Sequence, residues 1–255
     1  MSNARNLADI VTGNFDVPLA ALDNVPASND ASALSIGTLA SARLPTGLGG
    51  LVSMQSFTGS LAVGTSYTWT KPAGVTKVRV YVVGGGGGSQ NVASNVMATG
   101  GAGGLSIAII DVSSILSTTV TIGNGGGGSN TSGVRGGTGG TSSFGSYASA
   151  TGGEGGLATS APYDGGRGGV GTTSVGGAVL STFNQRGNGG QRVGTTNSQI
   201  SGAGSYFGGG GVGAHDVSAT PSEFQHGEFG GGGGSSQYSA IINGGAGVVY
   251  IEEYA

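Results

Sequence analysis

The clearest pattern in the chain is a strict alternation ending at Val83. Val78, Val80 and Val82 fall on one face, and Lys77, Arg79 and Tyr81 on the other. A period of two in β-branched residues predicts a half-buried strand over Val75–Val83, because successive side chains of an extended chain point to opposite sides. Before it, Tyr67-Thr68-Trp69-Thr70 is β-branched and aromatic, and Lys71-Pro72-Ala73-Gly74 carries turn chemistry. Leu105–Ile110 and Thr118–Ile122 read as two further strands, with Val112–Leu116 turning between them. Val248–Tyr254 reads as a last strand, with Val249 and Ile251 opposite to Val248 and Tyr250. Together these strands can close a small β-sandwich from both ends of one region.

The N-terminal part is patterned differently. Leu7, Ile10 and Val11 keep the i, i+3, i+4 spacing of a helix face, and Ser2 or Asn3 can cap it. A helix of two or three turns is unstable alone, so residues 1–16 are expected to dock on another body. From Val17 to Leu51 the apolar residues are isolated: Val17, Leu19, Leu22, Val25, Leu34, Ile36, Leu39 and Leu44. That spacing suits an extended chain burying its side chains against symmetry mates, which makes 17–55 a trimerisation stalk and 56–255 the main domain. A solvated linker is the alternative for the stalk.

Glycine changes the picture of that main domain. Residues 84–247 hold 51 of the chain's 59 glycines, and Val248–Ala255 hold none. The glycines fall in about ten short runs, among them Gly84–Gly88, Gly100-Gly101-Ala102-Gly103-Gly104, Gly152-Gly153-Glu154-Gly155-Gly156, Gly165-Gly166-Arg167-Gly168-Gly169 and Gly230–Gly234. Ordering glycine is entropically expensive. Polyglycine II offsets that cost: extended left-handed helices with three residues per turn approach closely, and each backbone N–H and C=O bonds a neighbour. Any inward Cβ would push such a bundle apart, so X in Gly-Gly-X-Gly-Gly is expected to point outward. The fold class expected is mostly β and irregular: a short N-terminal helix and extended trimeric stalk, then a glycine-rich β-sandwich with polyglycine II-like helices.

Composition then removes several function classes. Collagen requires glycine at every third position with abundant proline, whereas this chain has runs of five glycines and 6 prolines. A nucleic-acid binder would cluster basic residues; here Lys71 and Lys77 are the only lysines, and 9 Lys+Arg face 12 Asp+Glu. With no cysteine, disulfides and thiolate metal sites are excluded. No apolar run nears the ~20 residues of a membrane span, and no signal-peptide core is visible, so a soluble, unsecreted chain is expected. The hydrophobic fraction of 36% argues against disorder.

Chemical motifs are weak throughout. Gly123-Asn124-Gly125-Gly126-Gly127-Gly128 satisfies a dinucleotide-binding spacing after a strand, but turn residues follow it where a helix is required. No phosphate-binding lysine motif and no nucleophile elbow is present, so neither a cofactor nor an enzymatic activity is expected. His215, Asp216, Glu223, His226 and Glu228 fall within 14 residues, yet their spacings match no familiar metal site; a solvated loop is the simpler reading and no metal is expected.

Residues 56–88 resemble the entry of the glycine-rich C-terminal domain of bacteriophage tail fibres. The matching stretches are Phe57-Thr58, Tyr67-Thr68-Trp69, Pro72-Ala73-Gly74-Val75-Thr76-Lys77-Val78-Arg79-Val80 and Val82-Val83-Gly84-Gly85-Gly86. Gly139-Gly140-Thr141-Ser142-Ser143-Phe144-Gly145-Ser146 and the exit Gly247-Val248-Val249-Tyr250-Ile251-Glu252-Glu253-Tyr254 look like the same family. Ser2-Asn3-Ala4-Arg5-Asn6-Leu7-Ala8-Asp9 and Gly37-Thr38-Leu39-Ala40-Ser41-Ala42-Arg43-Leu44-Pro45 are similar to segments of short trimeric tail fibres. The resemblance implies a homotrimeric virion protein, made in the host bacterial cytoplasm, that joins phage tail or baseplate proteins. It further implies binding to a host cell-surface glycan or outer-membrane protein. A glycine-rich structural or ice-binding protein and a polysaccharide-depolymerising fibre are the alternatives.

The longest segments between glycine runs are Thr172–Arg186, Gln191–Phe207 and Val212–Phe229, expected as recognition loops on a rigid scaffold. Their aromatic rings can stack on sugars, and their amides and imidazoles can bond hydroxyls. The receptor-binding candidates are therefore Phe183, Gln185, Tyr206, Phe207, His215, Phe224, Gln225, His226 and Phe229. Leu7, Ile10 and Val11 are the candidates for tail attachment.

Overall fold

The computed structural model describes residues 50–92, 96–158, 165–174, 177–193, 200–213, 225–235 and 241–255. The helix and stalk expected within residues 1–49 lie outside them. Among the described residues there is no α-helix; thirteen strands form three antiparallel sheets. The first sheet runs β1 (Leu51–Thr58), β13 (Val248–Tyr254), β3 (Lys77–Val83), β6 (Leu105–Asp111), β11 (Val179–Gln185). The second runs β10 (Gly171–Thr173), β9 (Ala148–Ala150), β8 (Ser142–Phe144), β7 (Ser117–Ile122), β2 (Thr65–Thr70). A small third sheet pairs β12 (Arg192–Val193), β5 (Val96–Ala98) and β4 (Gln90–Val92).

The two large sheets enclose one apolar core. Val78, Val80 and Val82 of β3, Ala108 and Ile110 of β6, and Val249 and Ile251 of β13 pack against Trp69, Val120, Ile122 and Phe144 of the second sheet. The Trp69 and Phe144 rings meet edge to face, 5.4 Å apart. The alternation in β3 thus has the sense expected from the sequence; in β13, where the pattern separated two apolar faces without choosing between them, Val249 and Ile251 face the core. Strand β1 starts at Leu51, upstream of residue 56 where the sequence reading opened the domain. The segment 172–186 differs from expectation: most of it is not a loop, because β11 pairs with β6 from Val179↔Ile110 to Gln185↔Leu105. Six of the seven β11 residues are exposed, so no alternation betrays the strand in the sequence.

Beyond the sheets the strands run on into a glycine lattice. Gly84 and Gly87 donate backbone N–H bonds to Gly104 and Gly101, Gly85 and Gly88 to Gly140 and Gly137, and Gly86 and Ser89 to Gly245 and Ile242. The period is three, with each face of the segment addressing a different neighbour. Its carbonyls accept with the same period: Gly85 and Gly88 from Gly153 and Gly156, Gly86 and Ser89 from Gly126 and Ser129, and Gly87 from Gly233. Residues 84–89 therefore sit among six neighbouring segments, all of their backbone buried. The segment 99–104 repeats the scheme, donating to Gln191 and Asn188, to Gly233 and Gly230, and to Glu154 and Thr151. Three residues per turn with sideways hydrogen bonding is the pattern of polyglycine II.

Space explains the composition. An added Cβ at Gly86 would overlap the carbonyl of Gly231, at Gly101 that of Arg167, and at Gly153 that of Gly101. Where glycine is interrupted, position decides the residue. Thr138, Arg167 and Asn188 are exposed, as expected, but Ala102 is wholly buried, and Ala203 and Ala246 nearly so. Interior interruptions are thus held to a single carbon and do not all point outward. Two segments with few glycines also join the lattice, because only some positions of a three-residue turn face inward. Gly202 N–H bonds the Gly211 carbonyl and Gly227 N–H that of Asn243. At the end of the central segment, buried Gln90 donates to the Thr131 carbonyl at 2.7 Å and accepts from Ala158 N–H, so both halves of its amide are used.

Candidate functional site

The outer face of the first sheet carries an aromatic ridge. Strand register places Phe183, Ile107, Tyr81, Tyr250 and Ser56 in one row across β11, β6, β3, β13 and β1. Directly opposite residues share a face in antiparallel pairing, so this row lies on the side away from the sandwich core. The next row, towards the lattice, is Gln185, Leu105, Val83, Val248 and Thr58, where Leu105, Val83 and Val248 form a second small apolar cluster.

A turn from the lattice settles against this face. Ser205 N–H bonds the Gly208 carbonyl at 2.8 Å, and Gly208 N–H returns a bond to Ser205 Oγ at 2.9 Å. The turn sets Tyr206 stacked on Tyr81, with 21° between the rings, and Phe207 edge-on to Tyr81 at 5.9 Å. Phe207 also lies 6.3 Å from Tyr250. Despite these contacts Tyr206 is 56% and Phe207 41% exposed. Four rings thus form one supported ridge whose upper surface is open to solvent.

A cleft opens on either side. The smaller, of about 250 Å³, is lined by Gln185, Arg186, Asn188, Ser205 and Tyr206 among others. Arg186 donates to the Gly168 carbonyl and Asn188 to that of Gly204, which ties both side chains to the lattice. The larger, of about 480 Å³, is bounded by Thr58, Leu61, Gln225, His226, Glu228 and Phe229. Val212 and Gln225 exchange two backbone bonds there, and His226 Nδ1 accepts the Asn243 N–H at 3.0 Å.

The structure gathers most of the described candidates around this ridge. Tyr206 and Phe207 form its crest, Phe183 extends its row onto the edge strand, Gln185 enters the smaller cleft, and Gln225, His226 and Phe229 line the larger one. His215, Phe224, Leu7, Ile10 and Val11 lie outside the described residues, as do Asp216 and Glu223 of the grouping weighed for a metal. Tyr81, Tyr250, Arg186 and Glu228 belong to the site but were not among the sequence candidates. Tyr81 was legible as an outward residue of β3; its pairing with Tyr250, far away in the chain, was not.

The chain belongs to a family described as a glycine-rich domain, which matches residues 60–254. No curated protein matches the chain.

Proposed function

We propose that this protein is a non-enzymatic adhesin, a phage tail fibre whose glycine-rich domain binds a receptor on the host bacterial surface. In this reading it is a virion homotrimer, with residues 1–16 docking on a tail or baseplate protein and the stalk, expected over 17–55, ending where β1 begins at Leu51. The carrying observation is the exposed aromatic ridge of Tyr206 and Phe207, backed by Tyr81 and Tyr250 and flanked by two clefts that each hold polar side chains. Exposed aromatics in a cluster are what a stacking surface for sugars or a protein hot spot requires. Their support is a lattice with little freedom to rearrange, so little ordering entropy is lost on binding. The resemblance of residues 56–88 and 247–254 to tail-fibre domains supplies the biological setting.

Two measurements test this. Light scattering on the intact chain is expected to give three times 24.3 kDa; a stable monomer at micromolar concentration overturns the trimer. In adsorption to a panel of bacterial cells, the double change Tyr206→Ala with Phe207→Ala is expected to abolish binding while leaving the melting temperature close to that of the parent. Unchanged adsorption by that variant removes the ridge from the function.

A further inference from the structure

The larger cleft holds the one non-glycine residue with a positive φ among the described residues. Phe229 has φ 36° and is followed by Gly230 at φ 84°, in a turn closed by Gly231 N–H donating to the Glu228 carbonyl at 2.7 Å. A left-handed backbone is strained for a bulky side chain, and glycine would adopt it freely. The ring does not return that strain as burial, since it is 43% exposed. Ser205 Oγ–H bonds the Phe229 carbonyl and holds the turn against relaxation. A strained residue presenting an open aromatic face at a cleft is the mark of a binding position.

The rest of the lining narrows the ligand. Because His226 Nδ1 accepts the Asn243 N–H, the proton of the neutral ring lies on Nε2, which makes that nitrogen a fixed donor. Glu228 brings a carboxylate that accepts from hydroxyls, and Gln225 an amide that does both. Among the described residues no lysine or arginine lines the cleft, so an acidic ligand would meet Glu228 without a counter-charge there. The volume of about 480 Å³ falls within the range of about 300–1,000 Å³ of small-molecule sites.

We propose that this cleft is a saccharide subsite for a neutral pyranose, its C–H face on the Phe229 ring and its hydroxyls bonded by His226 and Glu228. The assignment rests on the adhesin reading and adds to it the sugar class and the position. The smaller cleft, with Arg186, has the opposite charge character and is not the site meant.

Saturation-transfer NMR on the full chain tests it, using methyl glucopyranoside and methyl galactopyranoside as neutral probes and glucuronate as the acidic one. Transfer is expected to at least one neutral probe with millimolar affinity, and to be weaker to glucuronate. Phe229→Gly relieves the backbone, so it should fold with a raised melting temperature yet lose about tenfold or more in affinity. Glu228→Gln should weaken binding without altering stability. No transfer to either neutral probe, preference for glucuronate, or undiminished binding by Phe229→Gly overturns the proposal. Cell adsorption separates the two readings. If Phe229→Gly adsorbs normally while the Tyr206 and Phe207 variant does not, this subsite falls and the adhesin stands. If the neutral probes bind but no cell is adsorbed by the parent protein, the adhesin falls and the subsite stands.

Discussion

The sandwich and the glycine lattice are built from the same chain runs, yet they cohere in different ways. Segment 84–89 continues β3, while 136–140 and 151–156 flank β8 and β9 in the opposite sheet. Within the sandwich these two layers touch only through side chains such as Val80 and Phe144, across the ~10 Å that separates packed sheets. Once the Cβ atoms stop, the layers close up and bond directly: Gly85 N–H to the Gly140 carbonyl, Gly153 N–H to that of Gly85. The sheet is directional, with hydrogen bonds along one axis and apolar contact along the other. The lattice bonds in every sideways direction and needs no apolar contact. Side-chain volume therefore stabilises one region, and its absence stabilises the other.

The sharpest way to break the lattice side of that comparison is to add one methyl group in the lattice interior and one at its rim. Gly86→Ala puts a Cβ into the Gly231 carbonyl, and relieving the overlap separates segments that share hydrogen bonds. A cost of about 3–5 kcal/mol is expected, from overpacking plus lost backbone bonds. Gly127, at the lattice rim, has nothing within 4 Å of the added carbon, so Gly127→Ala is expected to stay within about 0.5 kcal/mol of the parent. Chemical denaturation of the two variants gives the difference directly. Equal midpoints would mean that the segments are not held by close backbone approach.

What was legible in the sequence follows the same division. Strands β3 and β13 alternate because one face meets the core, so both elements and the inward Val78 and Val80 could be read in advance; in β13 both faces begin with valine, and the choice of Val249 and Ile251 as inward came only with the fold. Strand β11 could not, since exposed Ser181, Thr182 and Asn184 leave no face marked. In the lattice, runs of glycine were plain, but Gln225–Glu228 was hidden because Gly227 is its only glycine. The candidate aromatics were legible as residue types; the ridge was not. Its formation depends on the Tyr81↔Tyr250 register and on the fold of the Ser205–Gly208 turn, neither of which has a local signal.

A smaller effect sharpens the sandwich side. Glu253 of β13 is fully buried and accepts from Trp69 Nε1–H at 2.7 Å, Gln55 Nε2–H at 2.8 Å and Ser53 Oγ–H. The donors come from β1 and β2, one in each large sheet, so a single carboxylate joins both. Such side-chain bonding across layers does what backbone amides do in the lattice. Trp69→Phe keeps an aromatic ring and removes one donor, which should cost about 1.5–3 kcal/mol for a bond to a charged group. A loss below about 0.5 kcal/mol would show that the remaining two donors suffice to solvate the buried charge.

The smallest effect expected separates the regions by pH. The backbone bonds that join the lattice segments run from amide to carbonyl and do not titrate, whereas the sandwich has a turn held by an ionised side chain. That side chain is Asp111, at the end of β6. Its carboxyl is held below the ordinary carboxylate value, first by the Ser113 side chain and then by the Ser113 backbone N–H, which donates to Oδ1 at 2.9 Å. A depressed folded value means that the contribution is present above the ordinary aspartate pKa of about 4 and is lost as pH falls through the folded value. The carboxyl's access to solvent keeps the contribution small. The melting-temperature difference between the parent and Asp111→Asn should therefore shrink on going from about pH 5 to about pH 2. A difference that stays constant across that range would mean that the turn is set by its backbone alone, as the lattice is.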